Sequence, residues 1–371
     1  MKLGILTFHY APSYGAFFQA FALAKYLRGL GHEVVVVDYV PKHRSAAFNI
    51  RARFVRRRWG LTRSNLSWFK EWCRISFYIT RRWVFSHAVR NYLPLSSRRY
   101  ETIEDLRESP PELDLCFVGS DQIWNPEKTG GRFDPAYFAS FGPKEMRRVA
   151  YAASFGRDSV LDPDGQLASL LNMLDRISVR EASAVPVVAQ YTGKNATVVV
   201  DPVFLLSAED YPATIVRQKA QPYVLGYFIG TSDSPRQLLR SIARSLGLPA
   251  LDLTRSRTSL WGLVYPGPWQ MLRLLRNARY VVTNSFHGLA LAINFQIDFT
   301  SVGLQGPQVG LNVRMRDLLG ALGLDDRFVA NPAKIRPSDL RLSPVCWSDV
   351  DRRLAPLRHR SKDFIDEATG L

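Results

Sequence analysis

Glu33-Val34-Val35-Val36-Val37-Asp38-Tyr39 is the run that most restricts the fold. Four consecutive valines suit an extended chain, because β-branched side chains pack well on a pleated surface. A strand apolar on both faces needs cover on both faces, as in a parallel sheet with helices on either side. The chain repeats this unit. Segments 3–8, 113–118, 148–154, 176–180 and 197–202 read as further strands, while 18–30 and 166–174 have helical spacing. Gly31 is placed to stop the first helix. This βα alternation predicts a parallel, doubly wound sheet.

The alternation pauses near residues 207–222, which carry Pro212, Gln221 and Pro222, and then restarts. Segments 223–228, 250–253, 280–283 and 298–302 read as strands. Segments 234–246 and 271–278, the stretch from His287, and 314–322 read as helices, with Gly247 and Gly323 as stops. A chain of 371 residues is long for one core, so two domains are expected. The expected units are two α/β Rossmann-like domains, 1–208 and 209–345, followed by a tail, 346–371, read as a helix packing back on the first domain. Two such domains facing each other form a cleft where their strand C-termini meet.

Charge is unevenly spread. The formal net charge is +16, yet residues 42–99 hold 15 Lys and Arg against one acid, Glu71. That segment carries +14 and leaves the rest near neutral. It is read as a basic aromatic insertion in the first domain, with Trp68, Phe69, Trp72, Phe77, Tyr78, Trp83 and Phe85 among the arginines. Such a composition suits a helix lying on an anionic membrane surface. The alternative is that the aromatics pack on the domain and the arginines face water. A duplex-binding role would also use the charge, through phosphate contacts, but it needs no α/β cleft, and no nucleic acid is expected as a partner. Cys73, Cys116 and Cys346 lie far apart and match neither a metal spacing nor a disulfide framework. With a first strand at Met1-Lys2-Leu3-Gly4-Ile5-Leu6 and no run of about 20 apolar residues, a cytoplasmic protein is expected, peripheral at the inner membrane face if the insertion docks there.

Three turns at predicted strand ends look chemical. The first is Asn284-Ser285-Phe286-His287-Gly288, between a buried strand and an apolar helix. A helix start presents unsatisfied N–H groups and a positive dipole end, where anions bind. An exposed histidine there could donate a proton near neutral pH. The second turn is Gly119-Ser120-Asp121-Gln122-Ile123-Trp124-Asn125. A carboxylate beside an aromatic ring suits a sugar, with Asp121 accepting from hydroxyls and Trp124 stacking. Equally, Asp121 could cap a turn and Trp124 could fill the core. The third is Ser178-Val179-Arg180-Glu181. Arg180 either forks onto a carboxylate or phosphate, or pairs with Glu181. Downstream, Arg314 and Arg316 could add cations or begin a solvated helix. No Walker A loop, GxGxxG fingerprint, GxSxG elbow or zinc spacing occurs, so no cofactor or metal is expected.

Together these segments resemble the polysaccharide pyruvyl transferase family. The resemblance rests on Tyr14-Gly15-Ala16-Phe17-Phe18-Gln19-Ala20-Phe21-Ala22-Leu23, Gly119 to Asn125, Ile177-Ser178-Val179-Arg180-Glu181, Asp201-Pro202 and Asn284 to Gly288. It implies a fold similar to B-type glycosyltransferases. It also implies transfer of a pyruvyl group from phosphoenolpyruvate, as co-substrate, to two hydroxyls of a saccharide acceptor, as a cyclic ketal. That acceptor would be a cell-surface polysaccharide or its lipid-linked precursor. On this basis His287 and Asp121 are expected to be catalytic. Arg180, Asn284, Ser285, Gly288, Arg314 and Arg316 are expected on the donor side. Asp121, Gln122, Trp124, Asn125, Tyr14 and Gln19 are expected on the acceptor side. Some members have arginine where this chain has Ser285. A B-type glycosyltransferase using a nucleotide sugar is the alternative within the same fold.

Overall fold

The structure is a computed structural model that describes residues 1–42, 65–157, 160–162, 164–212, 221–230, 232–253, 265–336 and 339–371, with only the backbone helix along 65–78. It is an α/β protein with two parallel sheets. The first has seven strands: β1 (Lys2–Leu6), β2 (Glu33–Tyr39), β3 (Leu95–Tyr100), β4 (Leu115–Gly119), β5 (Arg147–Ala153), β6 (Arg176–Val179) and β7 (Thr197–Val198). Their order is β3-β2-β1-β4-β5-β6-β7. The second has five: β8 (Val224–Tyr227), β9 (Ala250–Asp252), β10 (Tyr280–Thr283), β11 (Phe299–Val302) and β12 (Phe328–Val329). Their order is β12-β11-β10-β8-β9. In each sheet the order reverses next to the first strand, which opens a crevice at the strand C-termini. The valine run of β2 is buried from Val36 to Tyr39, pairing with β1 on one side and β3 on the other.

The helices are α1 (Tyr14–Gly29), α2 (Asn65–Tyr92), α3 (Ile103–Glu108), α4 (Leu167–Asn172), α5 (Val185–Thr192), α6 (Ser234–Ser245), α7 (Pro268–Asn277), α8 (Phe286–Asn294), α9 (Val313–Leu322) and α10 (Trp347–Thr369). Most differ from the sequence reading by a few residues at the ends. The largest differences are β3, β12, α3 and α5, which the sequence reading did not include, β3 making the end of the expected insertion part of the first sheet; β7 in turn has two residues instead of six. After Val198 the chain leaves the sheet, and Asp201 caps a tight turn by accepting from the Val203 N–H at 3.2 Å. The strand-like composition of 199–202 serves burial rather than pairing.

α10 lies against the first sheet. Its Ser361 hydroxyl accepts from the Val200 N–H at 2.9 Å, and Phe364 meets Tyr151 with ring centroids 6.3 Å apart. Arg358 on the same helix donates to Phe204 O and to Asn294 Oδ1, so it also reaches α8 of the second sheet.

The two sheets share one hydrophobic core. Residues of α1 and β1 belong to the same buried cluster as residues of β8, α7, β10 and α8. Its middle is aromatic: Phe18 lies 5.5 Å from Trp269 and 6.4 Å from Tyr211, and Tyr14 stacks on Tyr265 at 5.6 Å. Each ring removes a large apolar area from water and adds edge-to-face contacts. Phe18→Ala is expected to cost about 3–5 kcal/mol, the range for a buried aromatic truncation, read from the shift of the urea midpoint. A shift worth under about 1 kcal/mol would mean that the cluster relaxes around the gap.

Of the basic insertion, residues 43–64 and the side chains of 65–78 lie outside the described residues. These include Trp68, Phe69, Trp72, Cys73, Phe77 and Tyr78. Where side chains are described, Phe85 is buried and Trp83 is exposed, so the aromatics divide between core and surface. No helix among the described residues is long and apolar enough to cross a membrane.

Candidate functional site

Three strand ends of the first sheet and one of the second converge. β4 ends at Gly119, whose φ is +135°. A Cβ there would lie 2.0 Å from Tyr151 O, so only glycine fits this turn. The turn presents Ser120, held from behind by Gln19, whose Oε1 accepts from the Ser120 N–H at 3.3 Å. β6 delivers Arg180 and Glu181, and the segment after β7 delivers Asp201. From the second sheet, β10 leads into α8. Ser285 caps that helix by accepting from the Gly288 N–H at 3.3 Å, which places Phe286 and His287 in the first turn. α9 supplies Arg314. Its start is fixed by Asn312, whose amide both accepts from and donates to the Leu304 backbone.

Asp201 is the hub. Its Oδ2 lies 3.0 Å from Arg180 Nη1, 3.3 Å from His287 Nε2 and 3.3 Å from Ser120 Oγ. Arg180 Nη1 also donates to Ser120 O at 2.9 Å. The Arg180 guanidinium stands 4.3 Å above the Phe286 ring, and the Arg314 guanidinium stands 5.8 Å from the same ring. One aromatic ring thus receives two cations, a favourable use of its quadrupole in a buried place. Gly15, in the first turn of α1, backs the imidazole: a Cβ there would lie 2.1 Å from His287 Nδ1.

Electrostatics follow from this packing. Burial alone would raise the Asp201 carboxyl, but His287 and Arg180 outweigh it and hold the group below the ordinary carboxylate range. Burial likewise opposes the Arg180 charge, yet Glu181, Asp201 and Asp121 together raise it. Arg314 differs. Burial and the Arg180 charge push it down to about 10 against the pull of Glu181, Asp121 and Asp201. Not every close pair is a hydrogen bond. Arg180 Nε lies 3.5 Å from Glu181 Oε2 and His287 Nε2 lies 3.3 Å from Asp201, but neither is aimed at its neighbour. Both are close polar contacts without hydrogen-bond geometry. Arg180 Nε and Nη2 and His287 Nε2 are shielded from water and make no hydrogen bond among the described residues. A buried donor left unmet costs about 1–3 kcal/mol. The arrangement therefore suits a ligand rich in anionic acceptors.

The geometry unites three of the residues expected from sequence, His287, Arg180 and Arg314; Asp121 lies in the turn after β4, where its Oδ1 accepts from the Gln122 N–H at 2.8 Å, and its charge acts on both arginines. His287 is corrected in one respect. It was expected to be exposed, but is 7% exposed, and its counter-charge is the fixed Asp201 rather than a ligand alone. Trp124 is no sugar platform. It is fully buried, stacks on Phe138 at 5.3 Å and donates its indole N–H to Tyr137 O. Asn125 is buried as the cap of the following turn, and its amide donates to Gln122 Oε1. Tyr14 spends its hydroxyl on Pro266 O at 2.7 Å, and Gln19 braces Ser120. Neither faces an acceptor.

On the expected donor side, Asn284 pairs with the Ile229 backbone through both amide atoms, at 2.6 and 3.0 Å. Ser285 is a cap. The Gly288 N–H is already used, and a Cβ on Gly288 would meet Thr283 Oγ1 at 2.6 Å, so this glycine allows close packing. Arg316 is exposed and lies over Phe328, at the far edge of the second sheet. Residues given no role of their own in the sequence are Asp201, Ser120, Phe286 and Gly15; Glu181 was expected only as a partner of Arg180, and lies 3.5 Å from its Nε. Asp201-Pro202 was a visible motif, but nothing in its neighbours signalled a buried carboxylate.

Two parallel doubly wound sheets meeting at a buried carboxylate, guanidinium and imidazole define a two-sheet α/β protein with a buried cluster of charged side chains where the sheets meet. The sequence pattern of the polysaccharide pyruvyl transferase family matches residues 14–305. The chain belongs to that family, and is a transferase. No curated protein matches it. Among solved structures, it is similar to the spinosyn rhamnosyltransferase SpnG complexed with thymidine diphosphate, at 12% identity, 100% of this chain, 96% of that chain and a TM-score of 0.36. It is also similar to the E. coli heptosyltransferase WaaC with ADP, at 12%, 96%, 100% and 0.37. A third is the S. aureus MnaA–UDP co-structure, at 11%, 97%, 90% and 0.44. The two-sheet architecture is established by the strand orders themselves.

The Asp201 shift sets a pH dependence. Its folded value is depressed, so its contribution is present above its unfolded value, about 3.9, and is lost as pH falls below about 4. Asp201→Asn is expected to lose on the order of 3 kcal/mol at neutral pH, the scale for breaking a buried ion pair. The gap from the native chain should narrow as pH falls below about 4. Urea unfolding across that range checks it. A gap independent of pH would show that the carboxylate charge contributes nothing.

Proposed function

We propose that this transferase moves the pyruvyl group of phosphoenolpyruvate onto two hydroxyls of a sugar unit, in a cell-surface polysaccharide or its lipid-linked precursor. The observation that carries the proposal is the pair of buried guanidiniums, Arg180 and Arg314, set beside the imidazole of His287. Phosphoenolpyruvate carries a carboxylate and a phosphate, so it calls for converging charged donors. Family membership supports the pyruvyl group and a polysaccharide acceptor.

In this reading Arg180 and Arg314 hold the two anionic groups, and Phe286 fixes the spacing of the guanidiniums. His287, as imidazolium, gives a proton to C3 of the enol, making a methyl group and leaving C2 electrophilic. Asp201 provides the counter-ion such an imidazolium needs. The first sugar oxygen attacks C2 while its proton passes to Asp121. The C2–O bond to phosphate then breaks, and the second sugar oxygen closes the ketal as its proton leaves with the phosphate. Two hydroxyl protons are lost in total, balanced by one on the new methyl group and one on hydrogen phosphate, and the proton taken by Asp121 returns through solvent to the His287 imidazole, which resets both groups. The protein acts by positioning and by charge placed in advance.

Phosphate release from phosphoenolpyruvate, measured over a panel of sugar acceptors, tests this directly. His287→Ala is expected to lower kcat by about 10²-fold or more, and Arg314→Ala to raise KM for phosphoenolpyruvate. In thermal unfolding, phosphoenolpyruvate at about 100 times its Kd should stabilise the native chain by about 2.7 kcal/mol. Nucleotides and nucleotide sugars should not. Stabilisation by nucleotides alone, or normal turnover in folded His287→Ala, would overturn the proposal.

A further inference from the structure

We infer that the outer face of α2 docks on an anionic lipid surface. The described end of this helix has two distinct faces. Inward, Phe85, Ala88 and Val89 are buried in the shared core, and the Phe85 ring lies 5.1 Å from Tyr14. Arg81 pins the helix by donating from Nε to Pro12 O at 2.9 Å, and its guanidinium lies 5.1 Å over Tyr265. Outward, Trp83 is 67% exposed and Ile79 is 45% exposed, with Arg82, His87 and Arg90 also exposed around them. Trp83 stacks on His87 at 5.5 Å, which holds the indole on the surface.

The inner face makes the core contacts of this helix, and among the described residues the outward Trp83 and Ile79 stay exposed. Apolar side chains ringed by arginines suit the boundary between headgroups and acyl chains. Charge selects the partner. The 42–99 segment carries 15 basic residues and one acid, out of a chain whose net charge is +16. Among the described side chains 79–99 this excess is five arginines and no acid, a charge that an anionic lipid surface attracts. A duplex would use the arginines but leave Trp83 and Ile79 in water, which favours lipid.

The docking face is close to the cluster. Arg81 holds the Pro12 carbonyl, two residues before Tyr14, and Gly15 lies against His287. One short loop thus separates the lipid-facing helix from the imidazole. A lipid-anchored saccharide could reach the site without leaving its surface. That purpose rests on the proposed function; the docking itself does not.

The experiment is co-sedimentation of the full chain with two kinds of vesicle, phosphatidylcholine alone and phosphatidylcholine mixed with phosphatidylglycerol, at low and high salt. Binding is expected to the mixed vesicles only, and to weaken with salt. Arg82→Glu with Arg90→Glu should weaken it about 25-fold or more, at about fivefold for each basic residue lost. Ile79→Ser with Trp83→Ser should weaken it under high salt as well, because that part is apolar. Thermal unfolding and phosphate release with a soluble acceptor should be unchanged in both variants. No binding to the mixed vesicles, or binding unaffected by both pairs of substitutions, would overturn the inference. Vesicle binding without phosphate release would leave it standing and would count against the proposed function alone.

Discussion

The contact between Asp201 and its three neighbours organises the molecule around it. A carboxylate with no access to water is costly unless cations and donors surround it. Here they come from separate places: Arg180 from the end of β6, Ser120 from the turn after β4, and His287 from the first turn of α8. Satisfying one charge therefore fixes three loops relative to one another, and two of the chain's sheets. Phe286 extends the constraint, because its ring packs against Arg180 and Arg314 alike. The cations are thereby held together despite mutual repulsion. Burial first, and then the Arg180 charge, push the Arg314 guanidinium down to about 10.

The fold was legible because its signals are repeated and additive. The valines of β2, the apolar run of β10 and the helical spacing of α6 and α9 each report burial over several residues, and the errors stay at the ends. β7 was overread because apolar residues that pack beneath α10 look the same in sequence as residues that pair in a sheet. Site residues carry no such redundancy. Arg180 and His287 were found because each follows an apolar strand, where a charged side chain is conspicuous.

The misread positions share one physical cause. Polar residues at strand ends must satisfy the loop backbone before anything else can be built there. Asn284, Ser285, Asn125 and Gln19 all perform that task, each spending its hydrogen bonds on neighbouring main chain or caps. Trp124 shows the same ambiguity for aromatics, since a stacking platform and a core residue are written with the same letter. Asp201 escaped notice for the opposite reason. A turn-capping aspartate before proline is ordinary in sequence, and only the fold brings His287 to it.

The continuous aromatic core beneath α1 and α8 also bears on how the molecule comes apart. Two sheets joined only by a linker would melt separately and swing freely. Here neither can expose its inner helices without stripping cover from the other. Unfolding one half would strip that cover from the other, which couples the stability of the two sheets through the shared cluster. A wide hinge between the sheets would have to break this packing of rings.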